Sequence, residues 1–286
     1  MIFRFAPSPN GELHLGHALS ALIGYGQAKA AGGRFLVRIE DIDAARSRPE
    51  FVAGIFEDLR WLGIAWEEPV LFQSARMPAY AEAAHRLESL GLLYRCFATR
   101  SEIEGAGSEA GRDPDGAPIY SGVWKGRSAD DIADALAVGR QSAWRIDMAA
   151  ALAAASSFLG GRSVTFVETG ADAGAPQLIE ARPERWGDAV IVRKDVAASY
   201  HLAVVVDDAW QGITHVTRGR DLYAATDLHR LLQVLLGLPQ PIYHHHRLIV
   251  DDSGRKLAKS VRDTSLRSLR ESGVGVEEVR RLIGLG

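Results

Sequence analysis

At 286 residues, with 47% hydrophobic and 24% charged side chains, the chain has the make-up of a globular protein, large enough for one domain with an insertion or for two. A net charge of −3 argues against a protein held on nucleic acid by overall charge, and the lone cysteine, Cys96, excludes an internal disulfide. No run of about eighteen apolar residues offers a membrane span, and the N-terminus lacks the pattern of a signal peptide, so the cytoplasm is the expected location.

The chain begins as strand, loop and helix. Ile2, Phe3 and Phe5 give an apolar strand that ends in Ala6-Pro7-Ser8-Pro9, where proline stops the ladder. Leu15, Leu19, Leu22 and Ile23 recur at helical spacing until Gly32-Gly33. RFLVRIEDID (34–43) reads as the next strand, with Phe35, Val37 and Ile39 alternating. This start predicts a parallel βαβ unit with a right-handed crossover. A helix from Pro49, with Phe51, Val52, Ile55, Phe56, Leu59 and Leu62 on its apolar face, ends at Gly63, and another starts at Pro78 and ends before Gly91. Residues 101–127, rich in Gly, Ser, Asp and Pro, predict a long loop. SAWRIDM (142–148), VTFVE (164–168) and AVIVRKD (189–195) predict short strands, and the alanine-rich stretch 149–158 carries no chemistry. YHLAVVVDD (200–208), with its apolar run Leu202–Val206, predicts a buried strand, and ITHVTRG (213–219) another. Leu228, Leu231, Leu232, Leu235 and Leu236 predict a helix closed by Gly237 and Pro239. The expected fold class is α/β: a parallel-sheet domain in two halves, 1–95 and 186–245, split by an α+β insertion over 96–185 and followed by a C-terminal segment over 246–286.

Two common phosphate-cradling patterns are missing. No G-x-x-x-x-G-K-[ST] occurs, and Gly24-Tyr25-Gly26 fails as G-x-G-x-x-G because Lys29 stands at the third glycine. The first strand-to-helix junction instead carries HLGH (14–17). Open parallel sheets bind ligands beyond the carboxyl ends of their strands, and a helix start offers unpaired N–H groups and a positive dipole end. His14 and His17, one turn apart, add donors on one face, and Gly16 leaves room for a flat base. Together they suit the α-phosphate of ATP with adenine beside it. Taken alone, the same residues fit two surface histidines capping a helix.

KLAKS (256–260) puts Lys256 and Lys259 on a glycine-preceded loop as mobile point charges, suited to a leaving pyrophosphate, although alone it is a solvated basic loop. It lies in the stretch His244–Arg270, where seven Lys and Arg stand against three acids. This is the candidate for local nucleic-acid contact, with a solvated surface as the plainer account. His244, His245 and His246 alternate along a strand-like segment and cannot all face one metal ion.

FAPSPNGELHLGHALSAL, LVRIEDID, YHLAVVVDD, ITHVTRGRDL and GRKLAKS, taken together, resemble the catalytic domain of the class I glutamyl-tRNA synthetases, in the family's order and over nearly the whole chain. The resemblance implies a Rossmann-like domain that activates glutamate with ATP to glutamyl-adenylate. It places His14, Gly16, His17, Lys256, Lys259 and Ser260 around ATP, with His14, His17 and Lys259 as the catalytic set. It places Arg4, Phe5, Ala6, Pro7, Ser8, Glu40, Tyr200 and Arg218 around L-glutamate. Two arginines suit two carboxylates and Glu40 suits the ammonium, while glutamine would leave an arginine poorly paired. Mg2+ is expected with ATP. The chain is shorter than family members that carry an anticodon-binding region. It therefore resembles the truncated branch that attaches glutamate to the queuosine base at the wobble position of tRNA(Asp). The expected partners are ATP, L-glutamate and the tRNA(Asp) anticodon arm, with no membrane, for a protein acting as a monomer.

The resemblance also sets expectations around the site. Asp41 and Asp43 are expected to order their loop and pair with Arg46, and Asp207 and Asp208 are likewise expected to order a loop. Many relatives build a zinc site from C-x-C and Y-x-x-x-C. Here Cys96, Ala98, Tyr120 and Trp124 stand at those positions, too few good ligands for structural zinc, so no zinc is expected and Trp124 fills the space. Two other readings stay open. One is a catalytic fragment of a glutamyl-tRNA synthetase charging the tRNA acceptor end. The other is an inactive tRNA- or amino-acid-binding paralogue, which intact His14, His17, Glu40, Arg218 and Lys259 oppose.

Overall fold

A computed structural model describes residues 1–105, 111–170, 175–196, 198–249 and 264–285. Strand β1 (Ile2–Phe5) leads through α1 (Leu15–Ala30) to β2 (Arg34–Ile39), which lies parallel to β1 with Leu36 opposite Arg4. Helix α2 (Pro49–Trp61) leads to β3 (Glu67–Phe72), parallel to β2. After α3 (Met77–Ser89) the chain forms β4 (Leu93–Cys96), α4 (Arg100–Gly105), α5 (Ala129–Ala137), β5 (Ala143–Ile146) and α6 (Met148–Phe158). The antiparallel pair β6 (Thr165–Glu168) and β7 (Gln177–Glu180) follows, then β8 (Val190–Val192), α7 (Tyr200–Trp210) and β9 (His215–Gly219). Helix α8 (Ala225–Leu236), β10 (Ile242–His246), α9 (Leu266–Glu271) and α10 (Val276–Leu282) complete the described elements.

The large sheet runs β3-β2-β1-β9-β10-β6-β7, every neighbouring pair parallel except β6 and β7. Period-two alternation sends β1 and β2 side chains to opposite faces. Phe3, Phe5, Phe35 and Val37 pack with Leu19 of α1 and Leu59 of α2, while Ile2 and Leu36 join the cluster built on α3, α7 and α8. Arg4 and Arg38 share the face of Ile2 and Leu36, which is covered by α7. Both faces being covered, β1 and β2 bury apolar residues on each face, and the buried arginines Arg4 and Arg38 interrupt the run.

The structure differs from the expected elements at several places. Residues 200–208 are helix α7, not a strand. Ser199 caps it by accepting from Leu202 N, and Leu202, Ala203, Val204, Val205, Asp207 and Asp208 are all buried. A helix buried on every side has no polar stripe, so its apolar run imitates a core strand. Asp207 and Asp208 are accordingly on a helix rather than in a loop. The alanine-rich stretch forms α6, whose Ala151 and Ala155 are fully buried and let it pack closely on α8. Sheet membership also divides the expected insertion differently. Strands β6 and β7, within 96–185, belong to the large sheet, and the separate sheet is β4-β5-β8. The expected loop 101–127 begins inside α4, and its described remainder forms no further helix or strand.

Candidate active site

The large sheet reverses its direction of growth between β1 and β9: β2 and β3 extend it one way, and β10, β6 and β7 the other. The loops leaving β1 and β9 diverge and open a crevice at the strands' carboxyl ends. A cavity of about 570 Å3 lies there, ample for a small ligand. It is lined by Arg4, Phe5, Ala6, Pro7 and Ser8 from the end of β1, by His14, Gly16 and His17 from the start of α1, and by Glu40, Tyr200 and Arg218. Every described residue that the resemblance places around ATP or glutamate thus lines one cavity. The backbone N–H of Glu40 donates to Pro7 O at 2.9 Å, tying the ends of β1 and β2 together.

The helix-capping reading of HLGH is realised, and both histidines also line the cavity. His14 is the N-cap of α1, its Nδ1 accepting from Gly16 N at 3.1 Å, and His17 Nδ1 accepts from His14 N at 3.2 Å. The rings reciprocally satisfy orphan donors of the helix start, as in a capping box. Because each Nδ1 is an acceptor, the neutral ring must carry its proton on Nε2. Burial, then the neighbouring His14, lowers the pKa of His17 to about 3, so that ring is neutral at physiological pH. The histidines therefore cap with one nitrogen and keep a donor on the other. A Cβ at Gly16 would sit 3.0 Å from His14 Cε1, so glycine preserves the ring's position.

The charged residues sort into paired and unpaired. Arg4 donates from Nε and Nη2 to Asp208 at 3.1 Å each, and Arg38, fully buried, donates to Asp208 at 2.7 Å and to Glu40 at 3.1 Å. Burial pushes the Asp208 carboxyl up, but Arg4 and Arg38 more than reverse this and hold it below the usual carboxylate range. Burial pushes Glu40 above its usual range, against the pull of Arg38 and Arg4. Asp207, turned to the other side of α7, accepts from Arg76, Gln73 and Tyr80. Arg218 differs. It donates to His245 Nε2 at 3.1 Å, Thr226 Oγ1 at 2.7 Å, His229 Nδ1 at 3.2 Å and Tyr200 Oη at 3.4 Å. Among the described residues it has no carboxylate partner, and it remains a buried cation facing the cavity.

Sequence reasoning did not single out Arg38, Thr226, His229 and Glu168; Arg38 stands within LVRIEDID, but each of the four has a partner on another element. Ser20 and His246, also on the cavity wall, share a hydrogen bond of 2.6 Å. Ser20 lies within the segment 5–22 without being singled out there, and His246 enters the sequence reading only as a metal ligand. The three adjacent histidines turn to separate partners: His244 to Thr169 O, His245 to Glu168 and His246 to Ser20. Asp43 pairs with Arg46 at 2.7 Å, and Asp41 accepts from Ser74.

Lys256, Lys259 and Ser260 lie outside the described residues. On either side of them, Ile249 lines the cavity and Ser265 forms a backbone bridge with His14. The positions of the relatives' zinc site do gather: Cys96, Ala98 and Tyr120 form a small buried cluster against which Trp124 packs, and Trp124 N donates to Tyr120 Oη at 2.8 Å. One thiol, one phenol and two carbon side chains do not make a zinc donor set. Among the described residues no group of three or more His, Cys, Asp or Glu could hold a metal ion, and no helix is long and apolar enough to cross a membrane.

Comparison with known proteins gives a consistent result. The chain matches the model of the class I tRNA synthetase (E and Q) catalytic domain over residues 1–146 and 175–284. It is 47% identical to the glutamyl-Q tRNA(Asp) synthetase of Rhodobacter capsulatus, the alignment covering all of both chains. It is 39% identical to glutamate–tRNA ligase 2 of a Methylobacterium species, covering 95% of this chain but 57% of that one. Among solved structures it is similar to a glutamate tRNA ligase from Elizabethkingia meningosepticum in complex with its amino acid, with a TM-score of 0.71 and 26% identity over 96% of this chain and 53% of the other. It therefore spans about half the length of these two glutamate–tRNA ligases.

Proposed function

The chain belongs to the class I tRNA synthetases for glutamate and glutamine, a family of ligases, and on that premise we propose that it activates glutamate with ATP and transfers it to the queuosine base at the wobble position of tRNA(Asp). The observation that carries the choice of amino acid is Arg218, a buried cation at the sheet's switch point with neutral acceptors as its only described partners. Such a charge calls for an anionic side chain. Glutamine would leave it unpaired at a cost of orders of magnitude in kcat/KM. The choice of acceptor is supported by the end-to-end match to the Rhodobacter relative.

In the first step an oxygen of the glutamate α-carboxylate forms a bond to the α-phosphorus of ATP, the bond to the bridging oxygen breaks, and pyrophosphate leaves. A carboxylate is already a nucleophile, so positioning and charge stabilisation suffice. The Nε2–H groups of His14 and His17, at the positive end of α1, stabilise charge at the α-phosphate, and Gly16 gives the nucleotide room. Lys256, Lys259 and Ser260 act on the pyrophosphate side. Phe5, Ala6, Pro7 and Ser8 form the wall for glutamate, Glu40 receives its ammonium, Tyr200 and Arg218 take the side-chain carboxylate, and Arg4, oriented by Asp208, faces the α-carboxylate. In the second step a hydroxyl of the queuosine ring attacks the acyl carbon, AMP leaves and an ester forms. Mg2+ would neutralise the triphosphate, held by phosphate oxygens and water, since the described acids form no cage of their own. The same reading makes the protein a zinc-free cytoplasmic monomer.

The test is glutamate-dependent ATP–pyrophosphate exchange without tRNA, followed by transfer of labelled glutamate to tRNA(Asp) with and without queuosine and to tRNA(Glu). Exchange without tRNA and labelling only of queuosine-containing tRNA(Asp) is expected. Exchange that requires tRNA(Glu) would favour the acceptor-end synthetase, and no exchange under any condition would mean an inactive paralogue.

A further inference from the structure

Arg218 is only 5% exposed, and the groups that hold it are neutral. Each imidazole that accepts from it must present a bare nitrogen, and so must carry its proton on the other nitrogen. For His245 the proton is on Nδ1 and goes to Glu168 at 2.5 Å. The other oxygen of Glu168 accepts the backbone N–H groups of His245 at 3.0 Å and Gly170 at 2.7 Å. For His229 the proton is on Nε2, which faces His201 Nδ1 at 3.1 Å. Arg218, His245 and Glu168 stand on three adjacent strands, β9, β10 and β6, with Arg218 directly opposite His245 in the ladder.

We infer that Glu168 and His201 are positioning residues of the amino-acid site: by fixing the tautomers of His245 and His229 they hold Arg218 on neutral acceptors and leave its charge for the side-chain carboxylate of the substrate. This rests on the glutamate reading above. A carboxylate touching Arg218 would compete with the substrate, and one imidazole keeps Glu168 out of that contact. Burial, partly offset by Glu168 and reinforced by Arg218, lowers the pKa of His245 to about 4, and burial followed by Arg218 and His201 sets His229 well below its usual value. Both rings are neutral acceptors at physiological pH. His201 stands in the segment YHLAVVVDD without being singled out there, and Glu168 lies in the stretch between the two matched parts of the family domain.

Glu168→Gln provides the test. The single amide oxygen keeps the two backbone donors, so the NH2 group faces His245 Nδ1 and drives its proton to Nε2, against Arg218. In long-range 1H–15N spectra of the full chain, wild-type His245 is expected to show a protonated Nδ1 and a bare Nε2, and the variant the reverse. In ATP–pyrophosphate exchange the KM for glutamate should rise about tenfold or more with the KM for ATP unchanged. His201→Leu should raise the glutamate KM in the same way, and His201→Gln, which keeps an acceptor, should restore it. A folded Glu168→Gln chain with the wild-type tautomer and glutamate KM would overturn the inference. If Glu168→Gln does not fold, the two His201 variants decide, and equal KM values for them would overturn it. If the wild type lacks glutamate-dependent exchange, the functional reading fails, while the tautomer spectra still decide the relay.

Discussion

Arg4 and Arg218 lie at almost the same depth, 6% and 5% exposed, but their electrostatic states differ. Two donors of Arg4 are engaged by Asp208, whereas among the described residues Arg218 meets only neutral acceptors. The symmetrical picture of two arginines for two carboxylates therefore gives way to one pre-paired orienting cation and one charge-bearing cation. HLGH shows a similar division of labour within single rings, which a substitution can separate. Asparagine is a strong N-cap and can accept from Gly16 N, but it has no counterpart of His14 Nε2–H. His14→Asn is expected to keep unfolding free energy within about 0.5 kcal/mol of wild type and to reduce pyrophosphate exchange about a hundredfold. Urea denaturation beside exchange kinetics checks this, and equal activity in the two proteins would reduce His14 to a cap.

Among the elements, the contact of α9 with α2 and the loop before α1 brings the C-terminal segment to the cavity. Leu266 N donates to Leu13 O at 2.7 Å, and Arg270 reaches Asp58 on α2 at 3.3 Å. Burial raises the Asp58 carboxyl to about 6, with Arg270 and Arg267 opposing incompletely. Since the folded value lies above the unfolded one, this group's contribution to stability is whole below about pH 4 and is lost as the pH rises through about 6. Asp58→Asn should flatten the fall in stability between pH 4 and 7. Urea midpoints measured at several pH values would show it, and parallel profiles for the two proteins would refute it.

The whole molecule rests on one seven-stranded sheet with an apolar cluster on each face and a small third cluster around Cys96. In that third cluster Trp124 meets Phe97 with ring centroids 4.8 Å apart and planes tilted by 56°, and faces Arg140 at 5.3 Å, so aromatic packing fills the cluster. Folding is then expected to be independent of zinc. A strong chelator should leave the melting temperature within about 1 °C of the untreated protein, and metal analysis should find less than one zinc per chain. A large chelator-induced drop would show that a metal is held after all.

The amino-acid order by itself determined most strands, the helices α1, α2, α3 and α8, the βαβ start and the residues around the cavity, because their signals are local: caps, turn prolines and glycines, periodicity and an ordered set of motifs. Tertiary structure alone decided three things. It made 200–208 a helix, because an element enclosed on every side loses the polar stripe that distinguishes helix from strand. It put β6 and β7 in the large sheet, because strand partners are chosen across long separations. It also settled which arginine carries a free charge, since Asp208 lies 204 residues from Arg4. Charge compensation depends on which groups the fold brings together, and no window of sequence contains both.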